Sequence, residues 1–432
     1  MRFRPHSSRS MPPWLIPMLY TVASVTAGLI LPRLEHAYFV GYTENISVGS
    51  ALAFFSSVSS GMMALTAIVF AIAFVLVQFS ALAYSPRLAI MFASSPTLFH
   101  TLGIFVATFL YSLAALVWTD RGGSGRVPLF STLLVAILLI VSMMAFTRLV
   151  HSLNDLQIHN VLHVIGMRGR SVIRMMFPLI ADKAKVTPEE IEVPLNLGPP
   201  TQTLTHSGEP RAITRFDLDT LVRVAQGADA VVAIECGVGD TVVEDTVLLR
   251  VYGGTRKLPE QALTRAIRLA RSRSFEQDPK YAIRLLVDIA IRALSPAVND
   301  PTTAVQALDQ IEDLLRRLGR RRLDTGYARD AAGKVRVTFP VPTWQDYLAL
   351  AFDEIRQFGA ASIQVDRRLR ATLVGLSDTI TVDERRAAVQ QYIDRLNLGI
   401  GQSSFDDQER AAAEQEDRQG LGLSRRRSGG EI

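Results

Sequence analysis

Two groups of polar side chains have the types and spacing that could support transport or binding. The first lies in a stretch without charged residues, from Asn45 to Pro86. Its candidate members are Ser56, Ser59, Ser60, Thr66 and Gln78. Hydroxyl and amide side chains on one helix can line a water-filled pathway, whereas small residues four positions apart, such as Ser57 and Gly61, let two helices approach closely. The spacing favours helix packing, and a pathway is the sharper alternative.

No Asp, Glu, Lys or Arg interrupts this stretch. Charged residues inside a membrane usually mark proton relays or ion sites. Their absence here argues against a proton-coupled pump, and it leaves open a pore lined by hydroxyl groups.

The second group lies in the segment from Ala293 to Ala304 and consists of Ser295, Asn299, Asp300 and Thr302. Asp300 directly precedes a proline, which predicts a helix start: the carboxylate accepts hydrogen bonds from free backbone N–H groups, and proline fits the first helical position. A tight turn carrying these polar groups could also contact a ligand or another subunit. The helix start is the favoured interpretation.

Motifs of known enzyme classes are missing from the sequence. It has no phosphate-binding loop, dinucleotide fingerprint, Gly-x-Ser-x-Gly elbow or zinc-protease helix. His159 and His163 would share a helix face, but no cysteine is near and no glutamate completes a zinc-protease arrangement. The single cysteine, Cys236, lies in an apolar run typical of a buried residue. We therefore expect no enzymatic activity, no metal site and no cofactor.

Four apolar stretches in the first third of the chain are long enough to cross a bilayer, which requires about 20 residues. They run from about Trp14 to Leu31, Ser59 to Leu82, Leu98 to Trp118, and Val127 to Thr147. The sequence thus predicts a membrane α-helical region of four transmembrane helices, with the lipid bilayer as its first partner.

The distribution of basic residues predicts the orientation of these helices. The N-terminal tail carries Arg2, Arg4 and Arg9, and Arg148 follows the fourth span at once. Because Lys and Arg in short loops accumulate on the cytoplasmic side, both termini are expected in the cytoplasm. The overall net charge of +5 is too small and scattered to predict nucleic-acid binding.

The remainder of the chain predicts an α+β cytoplasmic region. Short alternating stretches separated by turns, between Gln202 and Gly253, indicate a small β-rich module. The module resembles the sandwiched-hairpin fold of biotinyl and lipoyl carrier domains, but it contains no lysine to modify. Helical patterns dominate afterwards. The predicted domains are a transmembrane domain (1–150), a juxtamembrane helix and linker (151–200), a barrel-sandwich-like module (201–255), a helical domain (256–400) and a disordered tail (401–432).

Several of these motifs occur together in one known family. They are the end of the second span, Tyr84 to Arg87, the run Glu276 to Pro279, and the segment from Ala293 to Ala304. In these motifs the chain resembles the bacterial predicted membrane proteins grouped as domain of unknown function 2254. The resemblance implies a bacterial inner (plasma) membrane protein of this plan. It implies no activity and no catalytic residue.

Two functions from different classes follow as expectations. The first is a homo-oligomeric channel or transport-related protein, in which the second span lines a pathway and the cytoplasmic region assembles or gates it. The alternative is a membrane-anchored scaffold or sensor that binds a cytoplasmic partner or ligand near Asn299 and Asp300. The sequence identifies neither the substrate nor the partner.

Overall fold

A computed structural model describes residues 12, 14–38, 47–83, 96–121, 127, 129–154, 157–180 and 198–422. The chain forms two compact units, Met1–Asn160 and Val161–Ile432. Residues 181–197 of the predicted juxtamembrane helix and linker, and the N-terminal residues Arg2, Arg4 and Arg9, lie outside the described residues.

The first unit contains four helices that are long and apolar enough to cross a membrane. They are α1 (Leu15–Tyr38), α2 (Val48–Ala83), α3 (Pro96–Arg121) and α4 (Leu129–Asn154). The four predicted spans are confirmed, with one change of position. The second span was predicted to begin near Ser59, but α2 begins at Val48, because the residues before Ser59 are also uncharged and largely apolar.

Helix α3 lies at the centre of this unit and packs against α1, α2 and α4. Half of its span is buried, compared with 17%, 22% and 17% for the spans of α1, α2 and α4. Glycines permit the closest approaches. A Cβ atom at Gly103 of α3 would lie 2.5 Å from the ring of Tyr20 on α1, so only glycine fits there.

The second unit begins at Val161, within the amphipathic helix α5 (Ile158–Met176). This helix lies in the range 151–200, where the sequence predicts a juxtamembrane helix. Helix α4 ends at Asn154, and residues 155 and 156 lie outside the described range. One face of α5 is buried and comprises Val161, Leu162, Ile165, Gly166, Gly169, Val172 and Ile173.

Two β-sheets follow and share one hydrophobic core. Their strands are β1 (Gln202–Thr205), β2 (Arg211–Phe216), β3 (Ala230–Ile234), β4 (Thr241–Val242), β5 (Val247–Gly253), β6 (Ile267–Ala270), β7 (Tyr327–Arg329) and β8 (Val335–Thr338). The larger sheet has the order β1-β5-β3-β8-β7 and the smaller one β4-β2-β6. The module predicted at 201–255 therefore does not close on itself: β8 pairs in parallel with β3, which adds the later β7–β8 hairpin to the sheet.

Helices make up the rest of the unit. They are α6 (Leu218–Gln226), α7 (Glu260–Ala266), α8 (Pro279–Ala293), α9 (Pro301–Gly319), α10 (Trp344–Gly359), α11 (Ile363–Thr379), α12 (Asp383–Gly401) and α13 (Asp407–Ala413). The predicted membrane and α+β fold class is confirmed. The tail was expected to lack structure from residue 401, but α13 lies there, capped reciprocally by Asp406 and Glu409, with Ala413 buried.

Candidate functional site

The five polar residues predicted on the second span differ in their burial on α2. Ser56, Ser60 and Gln78 are exposed, whereas Ser59 is buried. The hydroxyl of Thr66 donates a hydrogen bond to the carbonyl of Met62, one turn earlier in the same helix, at 2.7 Å. The predicted set is therefore divided between the packed side of α2 and its outer side.

The outer face of α2 is a stripe of small residues, which we call the small-residue face. Its members are Ala53, Ser56, Ser57, Ser60, Gly61 and Ala64. All of them are exposed, and a Cβ atom at Gly61 would meet no other atom within 4 Å. The face thus has the composition of a close helix–helix contact and is covered by no other described part of this chain.

Hydroxyl groups inside the unit form packing contacts between the helices. Ser24 of α1 donates to the carbonyl of Ala107 on α3 at 2.6 Å. Thr108 of α3 and Ser142 of α4 hydrogen-bond at 2.9 Å. Both contacts are buried, where each hydroxyl needs a partner because no water is available.

One buried carboxylate of this unit is not among the residues predicted from the sequence. Glu35, near the end of α1, is buried and accepts hydrogen bonds from the backbone N–H groups of Phe130, at 2.7 Å, and Ser131, at 3.2 Å. It thereby supplies the missing acceptors at the first turn of α4. The available signal was its rarity, since only Glu35, Glu44 and Asp120 are acidic in the first 120 residues.

The second predicted group forms the tight turn between α8 and α9. Asp300 accepts hydrogen bonds from the backbone N–H of Thr303, at 3.1 Å, and from its hydroxyl, at 2.5 Å. Ser295 donates to the carbonyl of Arg292 at 2.7 Å. Asn299 adopts the left-handed region, with φ of +47°, and its side chain is exposed, as is Thr302. Asp300 is therefore a helix cap, and Asn299 and Thr302 are the accessible members.

The run Glu276 to Pro279 joins the smaller sheet to the helices. The amide side chain of Gln277 accepts a hydrogen bond from the backbone N–H of Phe216, at 2.9 Å, and donates one to its carbonyl, at 3.2 Å. Asp278 caps α8 and forms an ion pair with Arg273 at 2.6 Å. Burial raises the pKa of the Asp278 carboxyl, and the charge of Arg273 offsets part of that rise. This motif is thus structural in the single chain.

The remaining candidates do not form a reactive centre. His159 and His163 are both exposed on α5. Among the described residues, no group of three or more His, Cys, Asp or Glu side chains could hold a metal ion. Burial raises the pKa of the Cys236 thiol, which makes it a poorer nucleophile.

Comparison with known sequences places the chain among membrane proteins. The family model described as a predicted membrane protein, DUF2254, matches residues 12–374. Uncharacterized proteins of Mycobacterium tuberculosis and Mycobacterium bovis are each 26% identical over 417 residues, covering 91% of this chain and 77% of the relative. No solved structure matches the chain.

Proposed function

The chain belongs to the DUF2254 family of predicted membrane proteins, and from that premise we propose that it functions as a homo-oligomer in the bacterial inner membrane, with a transport-related pathway at the contact between copies. The single observation that carries this proposal is the exposed small-residue face of α2. We place both termini in the cytoplasm, as the positions of the basic residues favour.

Exposure of the small-residue face to lipid is unfavourable. In a bilayer, the exposed hydroxyls of Ser56, Ser57 and Ser60 would face hydrocarbon that cannot hydrogen-bond to them. A second copy of α2 would cover the serines, and small side chains would let the two backbones approach closely. If more than two copies form a ring, the same hydroxyls line the space between them.

The first experiment measures the number of copies per particle in lipid nanodiscs by mass photometry. Gly61→Leu is expected to lower this number, because a bulky side chain would separate the two helices. The monomer itself should tolerate the change, since no atom lies within 4 Å of the added Cβ. Met63→Leu is the matched control, because Met63 lies on the same helix and is also exposed. A monomeric wild type, or an unchanged copy number in Gly61→Leu, contradicts the proposal.

The second experiment tests transport separately from assembly. Wild-type protein reconstituted into liposomes is assayed for ion flux, together with Ser60→Ala, which keeps the face small but removes a hydroxyl. Flux that falls in Ser60→Ala while the copy number is unchanged supports a hydroxyl-lined pathway. If oligomers form but carry no ion flux, the proposed contact between copies stands and the proposed transport role is wrong.

The second candidate function is a scaffold that binds a cytoplasmic partner at the turn between α8 and α9. It is favoured by the exposure of this turn, where Val298 is 49% exposed beside the exposed Asn299. Burial of the apolar Val298 side chain against a partner would be favourable, and the amide of Asn299 could hydrogen-bond to that partner. Affinity capture with wild type and Val298→Asp tests it, and an identical set of captured proteins contradicts it.

A further inference from the structure

Helix α5 and the end of α9 meet along a row of contacts in the second unit. Arg170 of α5 forms an ion pair with Asp313 of α9 at 2.9 Å. Further along both segments, the guanidinium of Arg321 donates a hydrogen bond to the carbonyl of Phe177. Backbone hydrogen bonds between 178–180 and 320–322 continue the contact. The two segments are therefore held side by side over several turns.

Glycines on α5 explain how close this approach is. A Cβ atom at Gly169 would lie 2.9 Å from the side chains of both Ala282 and Leu314. The buried face of α5 is thus fitted against α8 and α9, and its orientation is fixed.

The positions between the two ends of the row combine like charges. Arg174 follows Arg170 by one turn, and Arg317 follows Asp313 by one turn. Arg317 lies four positions before Arg321, and Arg174 lies three positions before Phe177, whose carbonyl accepts the hydrogen bond from Arg321. Burial lowers the pKa of Arg321, and the positive charges of Arg174 and Arg317 add to that effect.

The one carboxylate in this row is already shared. Asp313 accepts from Arg317 at 3.1 Å as well as from Arg170 at 2.9 Å. Helix α5 contributes no compensating charge, because Ile158–Met176 contains no acidic residue. The row thus sets four arginines against one aspartate, an excess of positive charge that an anion would neutralise.

We propose that the edge formed by Arg170, Arg174, Arg317 and Arg321 binds a phosphate group. The Nε atom of Arg321 is buried and has no hydrogen-bond partner among the described residues, so a donor remains for a ligand. Guanidinium groups present paired N–H donors whose spacing matches phosphate oxygens. Arg174 is exposed at the last turn of α5 and leaves the site open to solvent.

Two sources of phosphate fit this chemistry. Helix α5 begins four positions after α4 ends, and anionic phospholipids with phosphate headgroups are the first possible source. A soluble phosphate ester or inorganic phosphate would satisfy the same donors. The experiment therefore has one arm for each source.

The test uses the full-length protein and the variant Arg174→Gln, with Arg265→Gln on α7 as the matched control, since Arg265 is likewise an exposed helix arginine. In the soluble arm, protein in phosphatidylcholine nanodiscs is titrated with inorganic phosphate at constant ionic strength, and thermal unfolding is followed. In the lipid arm, native mass spectrometry counts phosphatidylglycerol molecules retained by the detergent-solubilised protein.

Wild type and Arg265→Gln are expected to bind in at least one arm, and Arg174→Gln is expected to bind about tenfold more weakly there, as the loss of a charge-assisted hydrogen bond implies. Without phosphate and at low salt, Arg174→Gln should unfold at a higher temperature than wild type, because one of the clustered positive charges is gone. If Arg174 had only a structural role, its replacement would lower the unfolding temperature in the absence of phosphate rather than raise it. No binding in either arm, or an equal loss in Arg265→Gln, would overturn the proposal.

Discussion

The two units solve the problem of buried polar groups in different ways. In the transmembrane unit, hydroxyl side chains hydrogen-bond between helices, as Thr108 does with Ser142 at 2.9 Å. In the second unit, buried guanidinium groups pair with carboxylates, as Arg368 does with Asp309 at 2.9 Å and Glu312 at 2.6 Å. A hydroxyl carries no net charge, so it costs less to place in hydrocarbon. The comparison teaches that the surrounding solvent selects which polar contacts join the helices.

Arg368 gives the strongest test of this comparison in the second unit. Its side chain is 4% exposed and joins α11 to α9. Arg368→Met is expected to lower the free energy of unfolding of this unit by about 3 kcal/mol, because Asp309 and Glu312 lose their shared buried partner. Denaturant unfolding in detergent, followed by circular dichroism, measures it. Arg250→Ala is the surface control and should cost under about 1 kcal/mol; equal losses would refute the distinction.

The buried carboxyl of Asp366 should make the stability of the same unit depend on pH. It is 2% exposed, and burial raises its pKa to about 7, with Arg370 opposing part of that rise. The folded carboxyl keeps its proton between pH 4 and 7 while the unfolded one loses it, so stability falls as pH rises through this window and levels off above it.

Asp366→Asn is therefore expected to remove this part of the pH dependence and to stabilise the protein at pH 8 by about 2 kcal/mol. The difference in unfolding temperature between pH 5 and pH 8, in wild type and variant, is the measurement. Asp378→Asn is the control, because Asp378 lies on the same helix and is exposed. An unchanged pH dependence in Asp366→Asn would show that the buried carboxyl does not titrate there.

Glu35 is an exception in the transmembrane unit, because the buried hydrogen-bonding group is a carboxylate rather than a hydroxyl. Glu35→Ala leaves the N–H groups of Phe130 and Ser131 without their acceptors and is expected to cost about 2 kcal/mol. Glu35→Gln keeps an acceptor oxygen and should cost less. Thermal unfolding of both variants in detergent provides the measurement, and the reverse order would contradict the capping role.

Two glycines should give the smallest effects, and these should have opposite signs. Gly103→Ala is expected to destabilise by about 1 kcal/mol, because its Cβ would lie 2.5 Å from Tyr20. Within a single chain, Gly61→Ala has open space and is expected to stabilise by under about 1 kcal/mol, since alanine favours helix. Thermal unfolding of both variants in a detergent that keeps the protein monomeric is the measurement, and effects of the same sign would show that Gly61 of α2 is as confined as Gly103 of α3.

Much of the fold was predictable from local patterns. Four long apolar stretches specify spanning helices, because a helix pairs all backbone N–H and C=O groups within one segment, as a lipid environment requires. Asp300 before Pro301 specified the start of α9, since the carboxylate and the proline act within one turn. The helix α6 after its capping Asp217 was predictable for the same reason.

The sequence by itself determined what depends on neighbouring residues: the apolar spans, the helix caps and the amphipathic face of α5. The tertiary structure alone decided which distant residues meet. It added the β7–β8 hairpin to the sheet through β3, placed Glu35 on the first turn of α4, and paired Arg170 with Asp313. These contacts join positions far apart in the chain, and no local pattern encodes them because each depends on how whole helices and sheets pack.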